Sequence, residues 1–134
     1  KFNRIINNNI TTSGSQSVGV YLFGQVANNT ISNNKITTHG ESDYSIAIIT
    51  GATANTIVDN ILNIYGDSSF GLYLASDNNT IIRNNILSNG PNGFGIYVSD
   101  ASGGLINNNN ISTFHFIQLY LHLFIFRIQT IAFL

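Results

Sequence analysis

The chain has 134 residues, a formal net charge of −1 at pH 7, and only 8% charged residues. Its five Lys and Arg residues are too few and too scattered for a nucleic-acid partner, because such partners require clustered basic side chains. With 43% hydrophobic residues the chain is not disordered, and without cysteine it has neither a disulfide scaffold nor a CxxC site.

The first predicted element is an eight-residue segment, NRIINNNI, at residues 3–10. It recurs after 26, 26, 24 and 25 residues, and this fixed period indicates a solenoid built from stacked rungs. Three positions keep their character: one is always Ile, one always Asn, and one always aliphatic. These columns are Ile5, Ile31, Ile57, Ile81 and Ile106; Asn8, Asn34, Asn60, Asn84 and Asn109; and Ile10, Ile36, Leu62, Ile86 and Ile111.

The next predicted element is a strand at residues 18–22. We match it to residues 46–50, 70–74 and 94–98. Its apolar residues alternate, which is the period of a strand with one buried face. We therefore predict that Val18, Val20, Leu22 and their equivalents point inward. The outward positions hold a small residue followed by tyrosine, with Ile49 as the exception.

Glycine forms a further column between these elements, at Gly14, Gly40, Gly66 and Gly90. Each rung is then strand, Asn turn, strand, Gly turn, strand and loop. We predict an all-β parallel solenoid of about five rungs, with strands about 4.8 Å apart. Asn at each turn is expected to adopt the left-handed conformation and to pass amide hydrogen bonds between rungs, and Gly to serve the same backbone role.

A leucine-rich repeat is the competing solenoid, because its L-x-L-x-x-N-x-L core overlaps the segment at 31–36. However, the first Leu position of that motif holds Asn29, Asn55 and Asn79. The far side of each rung also has the pattern of a strand and not of a helix. We therefore prefer the all-β solenoid.

The C-terminal part differs in character, so we divide the chain into repeats at 1–112 and a hydrophobic segment at 113–134. Three interpretations of this segment remain open. The first is a degenerate last rung, in which residues 129–131 fall 25 residues after 104–106. The second is a segment that spans a membrane. The third is a helix that covers the open end of the core. The chain begins at Lys1, so we expect it to be a piece of a longer protein with further repeats.

The N-T-I-x-x-N-x-I register, followed by a G-I-Y-V strand, resembles the parallel β-helix repeat family. Within it, residues 1–111 most resemble the NosD-like group of periplasmic and cell-surface proteins, which shares the pectin-lyase-type right-handed β-helix. The resemblance implies a right-handed β-helix and an extracellular, periplasmic or cell-surface location, but no particular activity. The copper association of that group implies metal ligands, yet this chain offers only His39, His115 and His122 with no Cys or Met, so we expect no metal and no cofactor.

The candidate binding residues are the outward tyrosines Tyr21, Tyr73 and Tyr97, continued by Tyr120. Gly19, Gly71 and Gly95 precede the first three by two positions, and we expect them to leave a shallow shelf on which a polysaccharide stacks. The alternative is that tyrosine simply suits an exposed strand.

The charged residues have structural interpretations. Asp59 and Arg83 occupy the same column on adjacent rungs, which predicts an ion pair across the stack. Asp43 and Asp67 follow the Gly column, and we prefer solvated loop carboxylates over a calcium site or an acid–base pair.

No catalytic motif is present, and the catalytic residues, if any, are unknown. The leading hypothesis is a non-catalytic module of a cell-surface or secreted protein that binds glycan through its tyrosines or acts as a spacer. The alternative is a fragment of a carbohydrate-active enzyme, such as a polysaccharide lyase, hydrolase or epimerase.

Overall fold

The computed structural model describes residues 2–113 and three later strand segments at 120–121, 127–128 and 131–133. All regular secondary structure in these residues is β-strand. The strands form three parallel sheets, and successive strands along the chain belong to different sheets. The chain therefore winds as a coil with a three-sided cross-section, which confirms the predicted all-β parallel solenoid.

The first sheet begins each rung and the second follows the Asn turn. The first sheet contains β1 (Arg4–Ile6), β4 (Thr30–Ser32), β7 (Thr56–Val58), β10 (Thr80–Ile82), β13 (Leu105–Asn107) and β16 (Arg127–Ile128). The second contains β2 (Asn9–Thr12), β5 (Lys35–Thr38), β8 (Ile61–Ile64), β11 (Asn85–Ser88), β14 (Asn109–Thr113) and β17 (Ile131–Phe133). The third contains β3 (Val18–Leu22), β6 (Tyr44–Ile49), β9 (Phe70–Ala75), β12 (Phe94–Val98) and β15 (Tyr120–Leu121).

The core is a stack of aliphatic columns, as predicted. Ile31 pairs with Ile57, and Ile57 with Ile81, and all three side chains are fully buried. In the second sheet Ile36 pairs with Leu62 in the same way, and both side chains are fully buried. Parallel pairing without a register shift places like residues over like residues, so one apolar interior runs through the described rungs.

Two asparagine ladders hold the corners that flank the first sheet. The Asn34 ladder consists of Asn8, Asn34, Asn60, Asn84 and Asn109. The Asn29 ladder consists of Asn3, Asn29, Asn55 and Asn79. In each step the backbone N–H and the side-chain Nδ2 of one Asn donate to Oδ1 of the next. For Asn34 and Asn60 both distances are 3.0 Å. The predicted rung-to-rung amide bonds are therefore confirmed.

The left-handed residue at the Asn turn is not the ladder asparagine, so that part of the prediction is wrong. The residue before the ladder adopts it, with φ of 55° at Asn33, 56° at Asp59 and 53° at Arg83. A left-handed residue turns the backbone sharply, and the ladder side chain is thereby free to point inward and bond to the adjacent rungs.

The glycine column also serves a different purpose from the one predicted. Gly40, Gly66 and Gly90 do not have positive φ. A Cβ on Gly40 would instead collide with the backbone carbonyl of Gly14, one rung earlier, and Gly66 and Gly90 meet the preceding glycine in the same way. Glycine is required here because the rungs approach closely, while the turn itself places Ser42 and Ser68 in the left-handed region.

The backbone pairing continues into the C-terminal segment. Tyr97 pairs with Tyr120, Ile106 with Ile128 and Ile111 with Phe133, so β15, β16 and β17 each add a strand to one sheet. This agrees with a degenerate rung, but the expected alignment of residues 129–131 with 104–106 is wrong, because the pairing offset is 22 residues. The division at residues 112 and 113 stays a prediction, and residues 114–119, 122–126, 129–130 and 134 lie outside the described residues.

No helix in the described part of the chain is long and apolar enough to cross a membrane.

Replacing Asn60 with alanine tests the Asn34 ladder. The change removes the acceptor that the backbone N–H and Nδ2 of Asn34 share, and the Nδ2 bond to the carbonyl of Ile31. The backbone N–H of Asn34 thereby loses its partner in the interior, while Nδ2 keeps its bond to the carbonyl of Ile5. We expect a loss of about 3 kcal/mol or more in the free energy of unfolding, measured by urea denaturation. Asn63→Ala, on the outer side of β8, is the matched control and should change stability by less than about 0.5 kcal/mol. Equal effects at both positions would refute the ladder's role.

Two opposite substitutions test the left-handed corner that precedes the Asn29 ladder. Asn28 and Ala54 are both exposed there, with φ of 59° and 54°. Asparagine tolerates this conformation better than alanine, so Ala54→Asn should stabilise and Asn28→Ala destabilise, each by about 0.5–1 kcal/mol. Denaturation midpoints that move in the same direction for both variants would contradict this account.

Candidate functional site

The outer side of the third sheet carries two adjacent columns of aromatic rings. Tyr44, Phe70 and Phe94 stack with centroids 5.1 and 5.0 Å apart. Tyr73 and Tyr97 stack at 5.5 Å and contact Phe70 and Phe94 edge-to-face. We call these five side chains the aromatic face. Such contacts contribute about 0.5–1.5 kcal/mol per pair beyond the area they bury, so the rings hold one another in place.

The inward assignment is therefore wrong for Val18, Phe70 and Phe94. It is confirmed for Val20, Leu72 and Leu74, which are buried. Phe70 contacts Tyr73 on the outer side, whereas a Cβ on Gly71 would meet the core side chains of Ile86 and Ile64. Gly71 and Leu72 both face inward, so the strand departs from strict alternation at this point. The pairing between neighbouring third-sheet strands skips the glycine position each time, as bulged positions do.

The expected glycine shelf is absent from the described rungs for the same reason. Gly19, Gly71 and Gly95 face isoleucines of the second sheet and belong to the core, together with the fully buried Ser45. The surface beside the tyrosines is formed by aromatic rings instead. The repeated glycine at the second strand position was the signal for this arrangement, because a strand glycine often marks a bulge or a close approach.

The structure brings together two of the four predicted tyrosines. Tyr73 and Tyr97 are stacked neighbours. Tyr21 lies two rungs before Tyr73, is 53% exposed, and stacks on Phe23 with centroids 5.9 Å apart. Tyr120 pairs with Tyr97 through the backbone, and its side chain lies outside the described residues.

The residue that interrupts the tyrosine column is Ala47, not Ile49. Tyr21 pairs with Ala47 and Ala47 with Tyr73. The sequence alignment matched Val18 to Ile46, which is two residues too far along the chain. In the structure Val18 pairs with Tyr44, at the offset of 26 residues that the other columns of these rungs keep. A surface groove of about 240 Å³ lies at this position, and we call it the Ala47 gap. It is lined by Val18, Tyr21, Tyr44, Ala47, Ile49 and Tyr73.

The surroundings of Tyr44, at the first rung of the aromatic face, keep its phenol neutral. Burial raises the pKa of Tyr44 above its usual 10.0, and the neighbouring Tyr73 and Tyr97 raise it further. Because the protonated form is favoured up to alkaline pH, the Tyr44 hydroxyl is a hydrogen-bond donor throughout the physiological range.

The family model for a right-handed beta helix region matches residues 1–122. The chain belongs to this family. Neither the curated proteins nor the solved structures gave a match to it. The match confirms the resemblance to the parallel β-helix repeat family and gives the β-helix its hand, while the NosD-like assignment stays a prediction. A fold of this kind hosts many activities and assigns none.

The predicted ion pair of the β-helix is confirmed at the corner between the first and second sheets. The Nε and Nη2 groups of Arg83 donate to the two carboxylate oxygens of Asp59 at 2.8 and 2.7 Å. This hydrogen bonding lowers the pKa of Asp59. Both side chains are solvent-exposed, and both residues occupy the left-handed position of the turn in their rungs.

Asp43 is not a solvated loop carboxylate, so that interpretation is wrong. It is fully buried beside the glycine column of the β-helix. Its oxygens accept hydrogen bonds from the backbone N–H groups of Ser17 at 2.7 Å and Gly40 at 2.9 Å, and from the Thr12 hydroxyl at 3.3 Å. Its own N–H donates to Ser69 Oγ at 3.0 Å. Asp43 therefore takes part in a third corner ladder, whose adjacent positions are Ser17 and Ser69.

Asp67 and His39 also have local partners. The Asp67 carboxylate is exposed and accepts a bond from Asn92 Nδ2 at 3.2 Å, apart from Asp43. The His39 ring stacks on Tyr65 with centroids 5.1 Å apart. Among the described residues there is no group of three or more His, Cys, Asp or Glu side chains that could hold a metal ion.

Substitutions of Asp43 separate hydrogen bonding from charge. Asp43→Ala removes the acceptor for the Ser17 and Gly40 N–H groups and should lower the free energy of unfolding by about 2–4 kcal/mol. Asp43→Ser restores the side chain found in the adjacent rungs and should recover most of this loss. The control Asp67→Ala should change stability by less than about 0.5 kcal/mol. Chemical denaturation of the four proteins decides between this arrangement and a requirement for the charge.

Proposed function

We propose that this β-helix is a non-catalytic module that binds glycan through the outer side of its third sheet. The observation that carries the proposal is the aromatic face, in which five rings lie packed and solvent-accessible on one side of the coil. A surface of this kind usually marks a binding site, because a folded protein otherwise buries or disperses its aromatic side chains.

The chemistry of the aromatic face supports a sugar ligand. Aromatic rings offer flat apolar surface to the C–H faces of a sugar ring, and the phenol hydroxyls of Tyr44, Tyr73 and Tyr97 supply donors and acceptors at its edges. Rings that are held by their neighbours lose little conformational entropy on binding, which favours affinity. A nucleic acid lacks its basic partners here, since the chain has only five Lys and Arg residues.

A cell-surface or secreted location belongs to the same proposal. It is supported by the resemblance to exported β-helix proteins and by a ligand class that is abundant outside the cell. The spacer role becomes the preferred function if the aromatic face binds nothing.

The alternative function is a fragment of a carbohydrate-active enzyme. Glycoside hydrolysis would require two carboxyl groups about 5–9.5 Å apart beside the sugar. The side chains that line the Ala47 gap include no carboxylate, Asp43 is buried among hydrogen-bond donors, and Asp59 is paired with Arg83. The described residues therefore favour binding over catalysis.

A glycan-array screen tests the proposal with wild-type protein and a Tyr73→Ala, Tyr97→Ala double variant. We expect array signals for the wild type and a loss of about tenfold or more in the double variant, because two stacked rings are removed. Tyr65→Ala, which removes an exposed tyrosine on a different corner, is the control and should bind as the wild type does. The absence of signal from the wild type, or equal signals from both proteins, would exclude the proposed function.

A further inference from the structure

The first rung of the coil leaves its apolar interior open at the N-terminal end. Its core residues are only partly buried, whereas the residues one rung later in the same columns are fully buried. The pairs are Ile5 and Ile31, Ile10 and Ile36, Leu22 and Ile48, and Val26 and Ala52. A cavity of about 260 Å³ lies at this end, with Ile5, Leu22 and Val26 among its walls. The first rung therefore exposes apolar surface that the preceding rung covers elsewhere in the coil.

The three sheets also end here in open edges. Among the described strands, β1, β2 and β3 each pair on one side only, with the strand of the second rung. Within the coil, backbone N–H groups bond to carbonyls of the rung before, as from Lys35 to Asn8 at 2.9 Å. The corresponding N–H group of the first rung is that of Asn9, and no described rung precedes it. Edges of this kind can pair with a further strand.

The asparagine ladders give this end a chemical polarity. In every step the earlier rung supplies the donors and Oδ1 of the later rung accepts. Asn8 donates to Asn34 Oδ1 from its backbone N–H at 2.9 Å and from Nδ2 at 3.0 Å, and Asn3 donates to Asn29 Oδ1 in the same way. A backbone N–H can only donate, so the accepting atom must be the oxygen. The Oδ1 atoms of Asn3 and Asn8 receive no bond from the described residues, and this end therefore presents two amide acceptors.

The ladders end differently towards the C-terminus. One ladder stops at Asn79, where the next position holds Gly104. The other stops at Asn109, which pairs with Ile131. Glycine and isoleucine have no side-chain amide, so the ladders do not continue into the last strands. A second copy of this chain stacked end to end would therefore not supply the donors that Asn3 and Asn8 lack.

We propose that the N-terminal end of the coil binds one more β-helix rung, which carries asparagine at both ladder positions. The two asparagines of that rung are five residues apart, as Asn29 and Asn34 are. Each donates its backbone N–H and its Nδ2 to Oδ1 of Asn3 or Asn8. Aliphatic residues of the same rung cover the exposed core. This inference goes beyond the proposed glycan-binding function and does not depend on it.

The fit follows from continuity with the contact between the first and second rungs. That contact already contains the four ladder bonds, between 2.9 and 3.1 Å long, and a bond from Asn34 Nδ2 to the carbonyl of Ile5 at 2.8 Å. A strand without asparagine would pair with the open edges equally well. It would also cover both Oδ1 acceptors without bonding to them, and a covered acceptor without a donor is unfavourable. The ladders therefore select the rung.

A synthetic rung provides the central test. The peptide copies residues 27–52, which span one repeat and include Asn29 and Asn34. Calorimetric titration of the chain with this peptide should show one-to-one binding. A second peptide with Asn29→Asp and Asn34→Asp keeps the shape but replaces both Nδ2 donors with carboxylate oxygens that face Oδ1. It should bind at least about tenfold more weakly.

Variants of the first rung locate the site on the chain. The Asn3→Ala, Asn8→Ala double variant removes both acceptors but keeps the backbone N–H groups that bond to the second rung. It should bind the asparagine peptide at least about tenfold more weakly than the wild type does. Asn9→Ala, at an exposed position of β2, is the matched control and should bind within about twofold of the wild type. The aspartate peptide tests the same bonds on the wild-type chain, so the result does not depend on the stability of a variant.

Three results would overturn the proposal. The first is no binding of the asparagine peptide, and the second is equal affinity for the asparagine and aspartate peptides. The third is a dimer of the chain alone that sedimentation detects and the Asn3→Ala, Asn8→Ala substitutions dissociate, because the occupant would then be a second copy. The Tyr73→Ala, Tyr97→Ala variant should bind the peptide as the wild type does, so that failure of glycan binding and failure of rung binding are observed separately.

Discussion

The unshifted parallel register between rungs is the constraint on which the rest of this structure depends. Each residue is placed over its equivalent in the next rung, so a side chain must be compatible with a copy of itself about 4.8 Å away. Ile31, Ile57 and Ile81 satisfy this by packing into a continuous core. Asparagine satisfies it because its amide is both donor and acceptor, and one Oδ1 can receive two bonds from the rung before.

The sequence predicted the fold and the Asn34 ladder because their residues repeat visibly, whereas the Asn29 ladder was not predicted. The prediction failed in the third sheet, where the strands depart from a strict alternation of inward and outward residues. Strict alternation placed Phe70 inside, since nothing in an alternation count reveals that Gly71 and Leu72 face the same side. The left-handed residues were misplaced because they vary: Asn33, Asp59 and Arg83 share one backbone conformation but no side-chain chemistry.

The candidate site was predicted in part. The tyrosines Tyr73 and Tyr97 were recognised as an outward column, and they do stack. The aromatic neighbours and the position of the interruption were missed, because residues 46–50 were matched without regard to the 26-residue offset of the other columns. Asp43 was misjudged for a related reason: only its alignment with Ser17 and Ser69 reveals that it belongs to a buried ladder.

The same register limits where the rungs can differ. Ala47 lies in the tyrosine column between Tyr21 and Tyr73, and the larger side chains around it cover it, so that it is only 3% exposed. Because Ala47 lies on the outer side of the sheet, away from the aliphatic columns and the asparagine ladders, its difference from tyrosine does not interrupt the core. In a solenoid the fold is specified by what the rungs share, and the character of the outer surface by the positions at which they differ.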